Sequence, residues 1–115
     1  MDMKKTKEDM QAEILSALCH PNRIKIIKSL RKDILCNCEL MPLLRLEQSN
    51  LSRHLKMLEN AGILISWKEG LRVNYKISDK RIFDLLDIAE RIVSKKIEEF
   101  MQIMENYTEK FMVVR

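Results

Sequence analysis

The most constraining feature of this 115-residue chain is how little it offers for building loops. With only two glycines and two prolines, its turns must be few and short, and most of it must run as regular elements. The glycines, at 62 and 70, divide the middle of the chain. Upstream, Leu51, Leu55 and Leu58 recur at helical spacing, and Ala61-Gly62 supplies the left-handed end of that helix. Downstream, Ile63 to Lys68 is rich in strand formers, Glu69-Gly70 makes a turn, and Arg72 to Ile77 alternates apolar and polar residues. A helix runs straight into a β-hairpin.

The flanks read as helices. Thr6 with Asp9 resembles a capping box, and Met10, Ile14, Ala17 and Leu18 follow at helical spacing to an end near Cys19. Pro21 suits the first position of a second helix, where Ile24, Ile27 and Leu30 share a face and Ile26 widens it. Ile34-Leu35-Cys36 reads as a short edge strand, and Glu39 to Leu44 as a third helix with Pro42 in its first turn. After Ser78-Asp79 one long amphipathic helix carries Ile82, Leu85, Ala89, Ile92, Ile97, Phe100, Met104, Tyr107 and Phe111. The expectation is a single mainly α domain over 1–115 with a small β-hairpin. It has an N-terminal helix (1–19), a core and wing (20–78) and a long C-terminal helix (79–115).

Charge is unevenly placed. Residues 45–81 carry eight Lys/Arg against four Asp/Glu, whereas residues 82–115 carry five against seven. The positive surplus falls where a polyanion would be engaged. No apolar run approaches the roughly 18 residues of a membrane span. Met1-Asp2-Met3-Lys4-Lys5 lacks the apolar stretch of a secretion signal, so a cytoplasmic location is expected. There the three cysteines are expected to be thiols.

A short helix, a tight turn, a longer helix and a hairpin compose a winged helix-turn-helix. The recognition helix would run from Gln48 to Asn60. With its leucines inward, Ser49, Arg53, Lys56 and Asn60 point outward, with Asn50 and Ser52 on the flanks and no bulky apolar side chain on that face. Short polar and basic side chains of this kind reach base edges and phosphates in a major groove about 12 Å wide. Lys68, Arg72 and Lys76 read as a basic ribbon for phosphates, with Trp67 and Tyr75 as hairpin core. His54 reads as a packed histidine and His20 as a helix-start residue.

Three segments resemble the ArsR/SmtB family of metal- and stress-responsive repressors. They are Ala17 to Ile27, with its Cys19-His20-Pro21-Asn22-Arg23 core, Gln48 to Ile63, and Lys68 to Tyr75. The resemblance spans about residues 14–78, and three motifs in register make it specific. It implies a homodimer formed by the first and last helices, binding double-stranded DNA at an imperfect palindrome with half-sites about one turn, or a small multiple, apart. Glu47 stands where the family usually has a Ser or Thr cap; it is expected still to cap the helix start, where negative charge is favoured.

Cys36-Asn37-Cys38-Glu39-Leu40 resembles the family's CxC box for arsenite, cadmium or lead, and two close thiolates suit such soft ions. Zinc is a further candidate effector, although the family's zinc site on the last helix needs histidines that do not occur after residue 78. Met41 replaces the third cysteine of the arsenite-type box, leaving Cys19 as a candidate third ligand. A thiol redox switch is the second choice, and an oxidised form is expected to use Cys19 or the other subunit. An enzyme is not expected, because the chain has neither a Gly-rich phosphate loop nor a histidine–carboxylate pattern. The alternatives are a winged-helix protein-interaction module and a constitutive regulator without effector sensing.

Overall fold

The computed structural model describes residues 4–112; the ends 1–3 and 113–115, including the polar opening Met1-Asp2-Met3, lie outside the described residues. The chain divides into two compact units, 1–83 and 84–115. The first holds helices α1 (Lys7–Leu18), α2 (Pro21–Ser29), α3 (Asn37–Leu44) and α4 (Gln48–Asn60), and strands β1 (Leu35–Cys36), β2 (Leu64–Glu69) and β3 (Arg72–Ile77). Helix α5 (Arg81–Met112) begins there and makes up the described part of the second unit.

Local chemistry accounts for most boundaries. Thr6 Oγ1 accepts the Asp9 N–H while the Asp9 carboxylate accepts the Thr6 N–H, so two orphan donors at the start of α1 are satisfied. His20 Nδ1 caps α2 by accepting the Asn22 N–H, with Pro21 in the first position. Asp79 accepts the Arg81 N–H at the start of α5, and the Arg81 guanidinium beside it holds the Asp79 carboxyl at about 2.

Helix α3 starts two residues before the expected Glu39, because Cys36 rather than a later residue caps it. Cys36 Sγ accepts the Glu39 N–H, and Glu39 Oε1 accepts the Cys36 N–H. Pro42 therefore lies past the first turn, not within it. At the start of α4, Glu47 makes no side-chain capping bond, so it favours the helix by charge alone.

The three strands form one antiparallel sheet in the order β1-β3-β2, with Leu64 opposite Ile77 and Glu69 opposite Arg72. Leu35 and Cys36 pair with Tyr75 and Asn74, which makes β1 the expected edge strand. Gly70 turns the hairpin at φ 61°, a conformation L side chains rarely adopt. The core of the first unit gathers Ala17, Leu18, Ile26, Ile27, Leu30, Cys36, Leu40, Leu51, Leu55, Leu58, Ile63, Leu64 and Tyr75. Every helix and strand before α5 contributes to it.

Candidate nucleic-acid interface

Helix α4 is divided by its own periodicity. Leu51, His54, Leu55 and Leu58 are buried, and Gln48, Ser49, Ser52, Arg53, Lys56 and Asn60 are exposed, with Asn50 half-buried between them. The turn into α4 is short because Arg45 adopts the left-handed conformation at φ 55° and Leu46 N–H returns to the Met41 carbonyl. One apolar side chain breaks the expected polar face: Met57 is exposed beside it, over a groove lined also by Asp9, Ala12, Glu13 and Ser16 of α1.

His54 is fixed from behind. Arg23 Nε donates to His54 Nδ1 at 3.2 Å, Arg23 Nη1 donates to the Ala17 carbonyl, and the His20 and His54 rings lie 4.5 Å apart. Burial lowers the His54 pKa, and the neighbouring His20, Arg23 and Arg53 lower it further. The imidazole thus packs as a neutral acceptor facing away from the exposed side of α4.

The hairpin does not carry its three cations on one face. Pairing of Lys68 with Val73 and of Ile65 with Lys76 puts Lys68 on the side of Ser66, Val73 and Tyr75. Arg72 and Lys76 lie on the other side, with Trp67, Glu69 and Asn74. All three cations are exposed. The expected ribbon is two cations on one face and a third on the back, since alternation separates residues an odd number of positions apart in register.

Tyr75 is hairpin core, as expected. Trp67 is not: it lies partly exposed on the opposite face, where its Nε1 donates to Glu69 Oε1 and Lys76 Nζ lies 5.9 Å from the ring centroid. Leu71 is fully exposed at the hairpin tip.

Cys36 and Cys38 are joined to each other as a disulfide, which corrects the expectation that an oxidised form needs Cys19 or a second subunit. Cys19 is a free, exposed cysteine at the end of α1. A soft-metal site does not fit these residues as folded. The paired sulfurs offer no thiolate, and no group of three His, Cys, Asp or Glu residues suited to a metal occurs among the described residues. The structure also reveals an interaction that sequence spacing did not suggest: Arg72 Nη2 donates to Glu39 Oε1 at 3.1 Å, across 33 positions. The capping-box position of Glu39, three after Cys36, was its only signal.

A polar-faced helix standing on a leucine seam, followed by a basic hairpin, defines a winged helix-turn-helix regulator. Comparison with known proteins leads to the same class. The bacterial regulatory protein family arsR matches residues 20–66. The HTH-type transcriptional regulator MJ1325 of Methanocaldococcus jannaschii is 32% identical over 75% of this chain and 98% of its own. The HTH-type transcriptional repressor SmtB of Mycobacterium tuberculosis is 36% identical over 64% of this chain and 55% of its own. The crystal structure of Rv0081 from Mycobacterium tuberculosis superposes with a TM-score of 0.74 at 28% identity, covering 85% of this chain and 99% of that one. The chain belongs to the ArsR/SmtB family of transcriptional regulators, which are DNA-binding proteins and not enzymes. No described helix is long and apolar enough to cross a membrane.

Proposed function

We propose that this regulator is a homodimeric repressor that reads an imperfect palindrome in double-stranded DNA and is released by chemistry at Cys36 and Cys38. Gln48, Ser49, Asn50, Ser52, Arg53 and Lys56 meet base edges and phosphates in the major groove. Arg72 and Lys76 grip the neighbouring backbone, with Lys68 reaching it from the other face of the hairpin. The observation that carries this reading is α4 itself, sealed on one side by buried leucines and open to solvent on the polar side. Two subunits would each place one α4 in successive grooves. The second copy covers the exposed apolar residues of α1, such as Met10 and Leu15, and those of α5 from Leu85 to Phe111.

The bonded cysteine pair favours oxidation as the releasing event. Binding of arsenite, cadmium, lead or zinc requires the reduced pair, with Cys19 as the candidate third ligand. The test begins with a duplex selected by the protein from a random-sequence pool. Affinity for it should fall steeply with salt, by about 0.9 log units per log unit of salt for each phosphate engaged. Binding that ignores salt leaves the protein-interaction reading in its place. The complex is then titrated with arsenite, cadmium, lead, zinc and an oxidant. Wild type should release, and the Cys36→Ser/Cys38→Ser variant should hold DNA through every addition. Equal release from both proteins removes the sensor, and no release from either leaves a constitutive regulator.

A further inference from the structure

We propose that Glu39 is a positioning residue for the wing, making the hold of Arg72 on DNA depend on whether Cys36 and Cys38 are joined. The proposal rests on the DNA-binding reading above and adds its wiring. Cys36 belongs to two elements at once: it pairs with Asn74 in the sheet and caps α3. Glu39 Oε1 is shared between the Cys36 N–H, at 3.0 Å, and the Arg72 guanidinium, at 3.1 Å. Arg72 stands two residues from Asn74 on β3. The cysteine pair and the wing therefore meet at one carboxylate oxygen and along one strand ladder.

The bonded pair closes a ring over residues 36–38, immediately before Glu39, and so fixes the first turn of α3 with its carboxylate on Arg72. A guanidinium held by a carboxylate is a poorer partner for phosphate. This ion pair is about half exposed, so it biases the wing without locking it. Two equivalents of a low-molecular-weight thiol would open the ring. The first thiolate attacks the exposed Cys38 sulfur, the Cys36–Cys38 bond breaks, and Cys36 leaves and takes up a proton. The second thiolate attacks the mixed disulfide and is released with the first as RSSR, while Cys38 takes up its proton. Both cysteines end as thiols, the turn relaxes, and Arg72 is freed for the DNA backbone.

The experiment uses the full chain and a duplex selected from a random pool by the reduced protein. Affinities are measured across salt for the oxidised and reduced forms of wild type, Glu39→Gln and Cys36→Ser/Cys38→Ser. Reduced wild type should bind about fivefold tighter than oxidised, the low end of allosteric coupling. Its log–log salt slope should be steeper by about 0.9 for each additional phosphate that the freed wing engages. Glu39→Gln keeps a capping acceptor and loses the charge. Its oxidised form should rise to the affinity of reduced wild type, an increase that mere damage to α3 would not give. The double serine variant should be indifferent to thiol. A Glu39→Gln protein that keeps the fivefold difference overturns the relay, as does a wild type that binds equally in both states; either leaves DNA binding intact. Loss of DNA binding in every form removes the underlying reading and this proposal with it.

Discussion

Helices α4 and the 84–112 portion of α5 carry the same kind of pattern and meet different fates. In α4 the apolar stripe of Leu51, Leu55 and Leu58 lies in the core, at no more than 2% exposure. In α5 the side chains of Ile92, Ile97, Phe100, Met104, Tyr107 and Phe111 are 44–62% exposed within the single chain. Periodicity creates a stripe in both cases, but the number of elements able to cover it differs. α4 has α1, α2, α3 and β2 against it, whereas no neighbour within its own unit covers α5. Each such side chain is worth about 1.5–3 kcal/mol when taken from water, so an uncovered run of six is a strong drive to associate.

Substitutions on the two stripes should break this comparison most visibly. Leu55→Ala should cost about 2–5 kcal/mol of unfolding free energy, read from denaturant melts, through lost burial and the cavity left behind. Phe100→Glu should leave the helical content nearly unchanged and convert the proposed dimer to monomers in sedimentation equilibrium, with a loss of up to about 3 kcal/mol per subunit. A Phe100→Glu protein that dimerises as tightly as wild type would exclude the α5 stripe as the interface.

The exposed side of α4 gives the next effect. Arg53→Ala should weaken operator binding by about 1–3 kcal/mol if Arg53 reads a base, with unchanged thermal stability. A uniform loss across all duplex sequences would instead make Arg53 a phosphate ligand.

The smallest effect sharpens the buried side. Because the His54 pKa is lowered in the fold, the folded protein excludes a proton that the unfolded chain accepts below the ordinary histidine value of 6.5. The stability this contributes is present above 6.5 and is lost as the pH falls below it. Urea unfolding at about pH 7.5 and about pH 5.5 should show lower stability at the acid end, with part of the decline assignable to this group. His54→Asn should flatten that part of the profile.

Much of this was legible in the residues. The bounds of α4 follow from its leucine spacing and Gly62, and the hairpin from a run of strand formers before Gly70 and an alternating run after it. The Thr6–Asp9 capping box was equally plain. The start of α3 was not, because its cap is a cysteine, outside the Ser, Thr, Asp and Asn that mark most helix starts. The back-facing Lys68 was missed because face depends on register across the turn, not on charge. Trp67 was missed for the same reason.

What the sequence alone determined about this protein is local: which side of each helix is apolar, where the chain turns, and that polar and basic groups collect on α4 and the hairpin. These follow from dihedral preferences and periods of 3.6 and 2 residues, acting within a few positions. Only the tertiary structure decided that Cys36 meets Cys38 and Asn74, and that Glu39 holds Arg72. The pairings of Cys36 with Asn74 and of Glu39 with Arg72 bridge more than thirty residues and exist only once β1 has paired with β3. The Cys36–Cys38 bond, although local in sequence, forms only where the β1-to-α3 turn brings the two sulfurs together.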